Sequence, residues 1–219
     1  MEEPNSVDHL NSSLTDLMTS LMVIFILLLL VFVHRTAGKD AAVTDVLLKR
    51  LLHDMTPQGF SEKTIRPDPR DRNAILVIVP DRLMNFETGK STLRPEGEQF
   101  LKMYIPEFAD ILCSDQFRSS IESIVVEGHT DTHPYSGYSA EASENLNLKL
   151  SQDRSMEVVK NALADLSGVE TKRGCFLEKL SASGRGEQEQ EATPEESRRV
   201  ILKIRVKVVE AESMRVAVH

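Results

Sequence analysis

The chain has 219 residues, of which 26 are basic and 34 acidic, so its formal net charge at pH 7 is −8. This acidic balance argues against nucleic acid as a partner. The absence of tryptophan, with only 5% aromatic residues, argues against a surface on which bases could stack. The length is sufficient for one folded domain of about 150 residues and one additional segment.

The N-terminal region contains an apolar stretch that is long enough to span a membrane. Residues 14–33 include only one ionisable side chain, Asp16. As a helix they would be about 30 Å long, which is the thickness of the hydrocarbon core of a bilayer. No basic region precedes the stretch and no small-residue cleavage site follows it, so a removable signal peptide is disfavoured. We therefore predict a transmembrane helix over residues 14–34.

Asp16 permits two interpretations. A carboxylate within a membrane helix costs roughly 2.5–3.5 kcal/mol on insertion scales, and such residues usually serve a function. Alternatively, Asp16 caps the helix at its positive N-terminal end, and the residues from Leu17 onward span the membrane. Spacing alone favours neither interpretation.

The charges that flank this stretch give a weak indication of its orientation. No lysine or arginine precedes it, whereas Arg35 and Lys39 follow it. The positive-inside rule would therefore place the C-terminal side in the cytoplasm. The bias consists of only two charges, and long domains cross membranes largely regardless of charge.

Residues 35–73 are predicted to form an amphipathic helix and a linker. Within residues 41–55, the apolar side chains fall on one helical stripe, namely Ala41, Val43, Val46, Leu47, Leu51 and Met55. This helix could pack on a partner chain, lie in the membrane interface or begin the folded domain. Packing on a partner is favoured because neither end is strongly basic. Residues 56–73 contain three prolines and a glycine among charges, which indicates a linker.

The remaining sequence predicts one α/β domain over residues 74–210, followed by a tail over residues 211–219. Helices are expected from Pro95 to about Cys113, with a kink or break at Pro106, and over about residues 145–166. Strands are expected at residues 74–80, 121–127, 176–183 and 200–209. This alternation predicts a two-layer α+β sandwich.

The two cysteines, Cys113 and Cys175, have no further cysteine or histidine at metal-binding spacing. They could form one disulfide if the domain is extracytoplasmic, or remain two buried thiols. Two buried thiols are slightly favoured over a disulfide.

Three polar clusters lie at predicted strand ends or within the long helix. They are residues 128–131 (Gly-His-Thr-Asp), 150–154 (Leu-Ser-Gln-Asp-Arg) and 197–199 (Ser-Arg-Arg). A carboxylate and several guanidinium groups that converge on one cleft would suit a zwitterionic ligand. Taken singly, each cluster is better explained as ordinary surface structure, because Asp131 suits a turn and Arg154 suits an ion pair on a helix.

Two kinds of chemistry can be considered for the same residues. His129, His133 and Asp131 raise the possibility of a metal site, but spacing places no further ligand. Ser151, His129 and Asp131 could be named as a hydrolase triad, but the G-x-S-x-G nucleophile motif is absent. We therefore predict no enzymatic activity, no metal and no cofactor.

Several short motifs in one order resemble a known domain. They are residues 86–89 (FETG), 93–96 (LRPE), 128–131 (GHTD), 147–154 (NLKLSQDR), 182–187 (ASGRGE) and 198–200 (RRV). Together they resemble the OmpA-like peptidoglycan-binding domain, specifically its version in MotB-type stator proteins, over about residues 75–209. The insertion at residues 133–138 is similar to MotB. Ser197 departs from the family, which commonly has asparagine at this position.

This resemblance implies a site for the diaminopimelate of the peptidoglycan stem peptide. Asp131 and Arg154 would hold its ammonium and carboxylate groups. Thr130, Asn147 and one of the pair Arg198 and Arg199 would complete the cleft.

Residues 15–22 resemble the stator motif in which one aspartate at the start of a single transmembrane helix binds the permeating ion. The resemblance implies that Asp16 is this ion site and that two copies of the chain form a homodimer. It also implies a pentameric, multi-span partner of the MotA/ExbB type (ZorA-like). Residues 1–13 would be cytoplasmic, and the folded domain would lie in the periplasm.

The acidic N-terminus and short connector make the chain more similar to ZorB-type subunits of the Zorya anti-phage defence system than to flagellar stators. A flagellar stator and a plain membrane-tethered wall anchor remain the alternatives.

Overall fold

The computed structural model describes residues 6–87 and 89–207, and the side chains of residues 14–33, 43–57, 59–87 and 89–207. The tail predicted at residues 211–219 and the first residues of the segment 1–13 lie outside these ranges. Contacts separate an N-terminal unit from a second unit, Ala42–Val208.

The first helix, α1 (Ser6–Met55), contains the predicted membrane span. Its residues Leu14–Val33 form, within the described part of the chain, the one helix that is long and apolar enough to cross a membrane, and none of these side chains is buried. Near the start of the apolar stretch, the hydroxyl groups of Thr19 and Ser20 donate to the backbone carbonyl oxygen of Asp16.

The C-terminal part of α1 belongs to the second unit. Leu47, Leu51 and Met55 have no exposed surface and form part of its hydrophobic core. Their spacing of four residues places them on one face of the helix. The expectation that this stripe packs on a partner chain is therefore wrong for these three residues, which are buried within the chain's own domain. Val46 of the same stripe is 47% exposed.

The second unit is built on one mixed sheet of five strands. These are β1 (Ile65–Asp68), β2 (Asp71–Pro80), β3 (Ile121–His129), β4 (Leu180–Gly184) and β5 (Arg199–Val206). The strand order is β1-β2-β5-β3-β4. β3 and β4 are parallel and the other pairs are antiparallel. In β5, apolar residues at every second position, Val200, Leu202, Ile204 and Val206, are buried, as alternation along a strand predicts. On the other face Arg205 is exposed, but Arg199 and Ile201 are buried as well.

Helices complete a second layer. A short 3-10 helix (Thr56–Gln58) follows α1, and the others are α2 (Asp81–Met84), α3 (Pro95–Leu112), α4 (Ala140–Asp165), α5 (Glu170–Lys179) and α6 (Pro194–Ser197). α4 begins earlier than expected because Ser139 caps it, with its hydroxyl accepting the backbone N–H of Ala142 at 3.2 Å. The predicted fold class, an α+β two-layer sandwich, is confirmed.

Three local expectations are wrong. Residues 56–73 are not a linker, since they contain β1 and the buried side chains of Phe60 and Ile65. The strand expected at residues 176–183 begins only at Leu180, because α5 carries Cys175 and Phe176 into the core. Pro106 does not divide α3, which continues through it as one helix.

A disulfide joins Cys113, directly after α3, to Cys175 in α5. Their Cα atoms are 6.1 Å apart, within the ordinary range for this bond. The slight preference for two free thiols is thus corrected.

Candidate ligand-binding site

A cleft of about 600 Å³ lies at the sheet edge where β2 and β3 end and β5 begins. Its lining combines acidic, basic and aromatic side chains, namely Asp81, Phe86, Gly89, Thr130, Asp131, His133, Pro134, Tyr135, Asn147, Leu150, Arg154, Pro194, Glu195 and Arg198. We call it the charged cleft.

The strand register brings these distant residues together. In the antiparallel pairing, Arg199 of β5 lies opposite both Pro80 of β2 and His129 of β3. The residues that directly adjoin these three positions, Asp81, Thr130 and Arg198, therefore lie at one edge of the sheet. This edge supplies the first half of the charged cleft.

Helix α4 supplies the other half because glycine lets it approach the sheet closely. A Cβ atom on Gly128 would lie 2.1 Å from the carbonyl oxygen of Ser151, which is far inside van der Waals contact. The hydroxyl of Ser151 donates to the carbonyl of Leu148 and accepts the N–H of Gly186 at 2.8 Å. Ser151 is fully buried and its hydroxyl is engaged with the backbone, so its role is structural.

Arg198 and Asp131 form the central ion pair of the charged cleft. Nη1 of Arg198 donates to Oδ2 of Asp131 at 2.5 Å, and its Nε lies 3.7 Å from Oδ2 of Asp81. The bond to Asp131 raises the pKa of the Arg198 guanidinium. The second oxygen of Asp131 accepts the backbone N–H of His133 at 3.0 Å, which fixes the carboxylate.

Arg154 is the buried cation of the charged cleft, with a side chain only 6% exposed. Its Nε donates to the carbonyl of Lys90 at 3.1 Å, and its guanidinium carbon lies 4.9 Å from the centre of the Phe86 ring. Burial lowers the pKa of Arg154. Burial also raises the pKa of Asp81, although Arg154 and Arg198 oppose this change. Nη1 of Arg154 lies 4.0 Å from Oδ1 of Asp81, which is too far for a hydrogen bond. The hydrogen-bonding capacity of the two groups is therefore not used up by this pair.

Two uncharged side chains complete the site. The hydroxyl of Thr130 is buried and has no hydrogen-bond partner within the described residues. The amide of Asn147 donates to Oε1 of Glu187 at 2.8 Å and to the carbonyl of His133 at 3.3 Å. A buried hydroxyl without a hydrogen-bond partner lowers the stability of the fold. A ligand that hydrogen-bonds to Thr130 would remove this penalty.

Five of the predicted site residues line this cleft, namely Thr130, Asp131, Asn147, Arg154 and Arg198. Arg199 lines a different cavity, of about 240 Å³. Its guanidinium donates to the carbonyl groups of Glu189 and Ser197, so it orders the segment before β5. Sequence reasoning missed Asp81, although the signal was present, since Asp81 directly follows a predicted strand just as residues 128–131 do.

His129 lies behind the charged cleft with a fully buried side chain. Its Nδ1 is 3.2 Å from the carbonyl oxygen of Gln188, a partner that can only accept a hydrogen bond. Burial, and next the charge of Arg199, lower the pKa of His129 to about 4. The imidazole is therefore neutral at pH 7, with its second nitrogen unprotonated.

We expect His129 to make the domain less stable as the pH falls. Its pKa is about 4 in the fold, against about 6.5 in an unfolded chain, so the unfolded state takes up the proton first. This difference in pKa contributes about 3 kcal/mol to the free energy of unfolding. The contribution is fully present above pH 6.5 and is lost as the pH falls towards 4. Urea midpoints of the fragment Ala42–Val208 at pH 7 and pH 4.5 measure the loss.

The variant His129→Gln should show a smaller loss over the same interval. His133→Gln is the control, because the His133 side chain is exposed and the hydrogen bonds described for this residue are made by its backbone. Equal losses in the parent fragment and in His129→Gln would contradict the assignment.

The charged cleft is suited to a zwitterion. Its carboxylates can accept an ammonium group and its two guanidinium groups can donate to a carboxylate, while Thr130 provides a neutral donor. In the structure these opposite charges partly neutralise one another. A ligand with both charges can replace those contacts without leaving a buried charge unpaired.

The chain belongs to the OmpA family, whose model matches residues 85–201. The chain is similar to the Zorya protein ZorB of Escherichia coli (strain ATCC 8739), with 22% identity over 204 residues that cover 88% of this chain and 86% of that protein. The resemblances to the OmpA-like domain and to ZorB-type subunits are thereby confirmed.

Two solved structures are similar to this chain. A putative MotB-like protein from Desulfovibrio vulgaris has a TM-score of 0.55 and 20% identity, covering 78% of this chain and 98% of that one. The periplasmic domain of Helicobacter pylori MotB (residues 97–256) has a TM-score of 0.46 and 16% identity, covering 65% of this chain and 88% of that one.

Proposed function

We propose that this chain is the peptidoglycan-anchored, ion-binding stator subunit of an ion-driven inner-membrane motor, of the anti-phage Zorya type. The charged cleft is the observation that carries the proposal, since it offers opposite charges to one small ligand. The similarity to ZorB over most of both chains supports the Zorya type.

Peptidoglycan contains a zwitterion of the required kind, the diaminopimelate of the stem peptide. Its ammonium group would bind Asp131, with Asp81 close by, and its carboxylate would bind Arg154 and Arg198. Thr130 would donate to the same carboxylate, and Asn147 would hold the loop at His133 in place. Each charge-assisted contact in such a site contributes about 1.5–3 kcal/mol.

The N-terminal unit would provide the ion path. Residues 14–34 would cross the inner membrane with residues 1–13 in the cytoplasm, and Asp16 would bind the permeating ion. One helix offers an ion no continuous path. The proposal therefore includes a homodimer and a pentameric MotA/ExbB-like (ZorA-like) multi-span partner. The disulfide between Cys113 and Cys175 supports a periplasmic location for the folded domain, because disulfides persist in oxidising compartments.

Substitutions in the charged cleft test wall binding. We expect Asp131→Ala and Arg154→Ala each to reduce retention on purified peptidoglycan by about 10-fold or more, since each removes one charge-assisted contact of about 1.5–3 kcal/mol. Asp153→Ala and Lys149→Ala are charge-matched controls on α4, because these two exposed residues pair with each other. Sedimentation of the purified chain with insoluble peptidoglycan measures the retained fraction.

If both cleft variants sediment as the parent chain does, the charged cleft is not the wall site.

The alternative function, a plain wall anchor without a motor, makes a different prediction. It would purify in detergent without a multi-span partner, and it would keep its function after Asp16→Ala.

A further inference from the structure

A second cavity, of about 240 Å³, lies on the face of the sheet opposite the hydrophobic core. Successive residues of β5 alternate between the two faces, and Val200, Leu202 and Ile204 belong to the core. Ile201 lies on the other face and lines the cavity. The lining also contains four acidic side chains and five basic ones, the latter being Arg66, Arg70, Arg185, Arg199 and Lys203. We call it the basic cavity.

The strand register assembles the basic cavity from four neighbouring strands. Arg66 of β1 lies opposite Leu76 of β2, and Leu76 lies opposite Lys203 of β5. Glu127 of β3 lies opposite Ile201 of β5. Residues that lie directly opposite each other share a face of the sheet, so these five side chains line one cavity.

The segment that follows β4, residues 185–191, completes the basic cavity. An ion pair between Glu189 of this segment and Arg70 joins it to the turn between β1 and β2. Two charged side chains of the lining are almost completely buried, since that of Glu127 is 10% exposed and that of Arg199 is 4% exposed. The basic cavity is therefore a recess with defined walls and not part of the open surface of the sheet.

The acidic side chains of the basic cavity do not fully compensate the basic ones. Nη2 of Arg185 lies 3.4 Å from Oε1 of Glu127, and Nη2 of Arg199 lies 3.5 Å from Oε1 of Glu191, so both contacts are long. Arg66 has no ion-pair partner among the residues that the structure describes. With five basic groups and four acidic ones, the lining has one positive charge in excess.

Two N–H donors in the wall of the basic cavity lack an acceptor. Nε of Arg185 and Nε of Arg199 are buried and have no hydrogen-bond partner within the described part of the chain. A guanidinium nitrogen can only donate, so the missing partner is an acceptor. Burial lowers the pKa of Arg199, although Glu191 and Glu189 oppose this change. The charge of Arg66 adds to the lowering, because the two guanidinium groups repel each other.

We propose that the basic cavity binds a phosphate group. Arg66, Arg185 and Arg199 line it from β1, from the segment after β4 and from β5, and what they lack is a negatively charged acceptor. A tetrahedral phosphate presents oxygens to donors on several sides, whereas a carboxylate has two oxygens in one plane. The fork of an arginine also matches phosphate geometry. The basic cavity shares no lining residue with the charged cleft, so this inference does not depend on wall binding.

Two soluble probes test the basic cavity and distinguish the sources of the phosphate. Inorganic phosphate and glycerophosphoglycerol, the headgroup of phosphatidylglycerol, are titrated separately into the full chain in a non-ionic detergent at constant ionic strength. We expect inorganic phosphate to bind with a Kd of about 1 mM or lower, and more tightly than the headgroup because it carries a second negative charge. Tighter binding of the headgroup would support the same site and assign it to lipid.

Substitution of Arg66 tests the place of binding. Arg66→Ala should weaken the binding of phosphate about 10-fold, because it removes one charge-assisted contact. The residue is exposed, so the domain should still fold. Arg72→Ala is the matched control, since Arg72 is an exposed arginine of the neighbouring strand that does not line the basic cavity. It should leave the affinity unchanged.

Substitution of Glu127 should act in the opposite direction. Glu127→Gln removes a negative charge from the lining and should tighten the binding of phosphate by about 3-fold or more. The inference is overturned if the parent chain binds neither probe at about 10 mM. It is also overturned if Arg66→Ala and Arg72→Ala weaken binding equally, or if a folded Glu127→Gln variant binds phosphate less tightly than the parent chain.

Discussion

In the proposed motor, Asp16→Asn is expected to abolish activity while the chain still assembles with the proposed multi-span partner. Asparagine has nearly the same shape as aspartate but cannot gain or lose a charge, so ion binding could no longer change the energy of the helix inside the membrane. The measurements are co-purification of the partner in detergent and phage plating on cells that express both subunits.

Asp45→Asn is the matched control, since Asp45 is an exposed acid on the same helix outside the apolar stretch. It should keep both assembly and protection. Full protection by Asp16→Asn would show that this residue is not the ion site. The alternative of a helix cap is already wrong, because α1 begins at Ser6 and Asp16 lies inside the helix.

Gly128→Ala is expected to prevent stable folding of the domain. The added Cβ would lie 2.1 Å from the Ser151 carbonyl oxygen, and neither partner is a flexible side chain. Helix α4 would have to move away from β3, and the cost of such overpacking against backbone should exceed about 3 kcal/mol. The urea midpoint of the fragment Ala42–Val208, followed by far-UV circular dichroism, measures the loss.

Gly174→Ala provides the comparison. Gly174 lies within α5 and a Cβ there would meet no atom within 4 Å. Alanine is the better helix former, so this variant should be neutral or more stable by about 0.5–1 kcal/mol. If the two variants were equally stable, the close approach of α4 to the sheet would not be what requires glycine at position 128.

The parts of the fold that could be predicted are those whose sequence pattern lies within one short segment of the chain. The alternation in β5 identifies its buried face without reference to any other strand. Asp131 and Arg154 could be assigned to one cleft from motifs in a familiar order. Arg198 could not be separated from Arg199 in this way. Only the place where β5 begins, at Arg199, and its register with β2 and β3 decide which of the two adjacent residues meets the charged cleft.

The parts that were missed depend on partners far away in the sequence. The stripe of Leu47, Leu51 and Met55 is equally compatible with another chain and with the chain's own core. Residues 65–68 look like a linker because of Pro67, yet they pair with residues of β2 at the edge of the sheet, where proline is tolerated. Phe176 joins the core from a helix of only ten residues, in which the apolar residues are the adjacent Cys175, Phe176 and Leu177, too few to form a recognisable helical stripe.

The burial of Leu47 limits the distance between the apolar stretch and the domain that is proposed to bind the wall. Leu47 is fixed in the core of the second unit, and the apolar stretch ends at Val33, only 14 residues earlier in the chain. Even fully extended, this segment reaches no more than about 50 Å. With the stretch in the membrane and the core intact, the proposed wall-binding site could therefore reach only the part of the wall that lies within this distance, plus the width of the domain, from the bilayer surface.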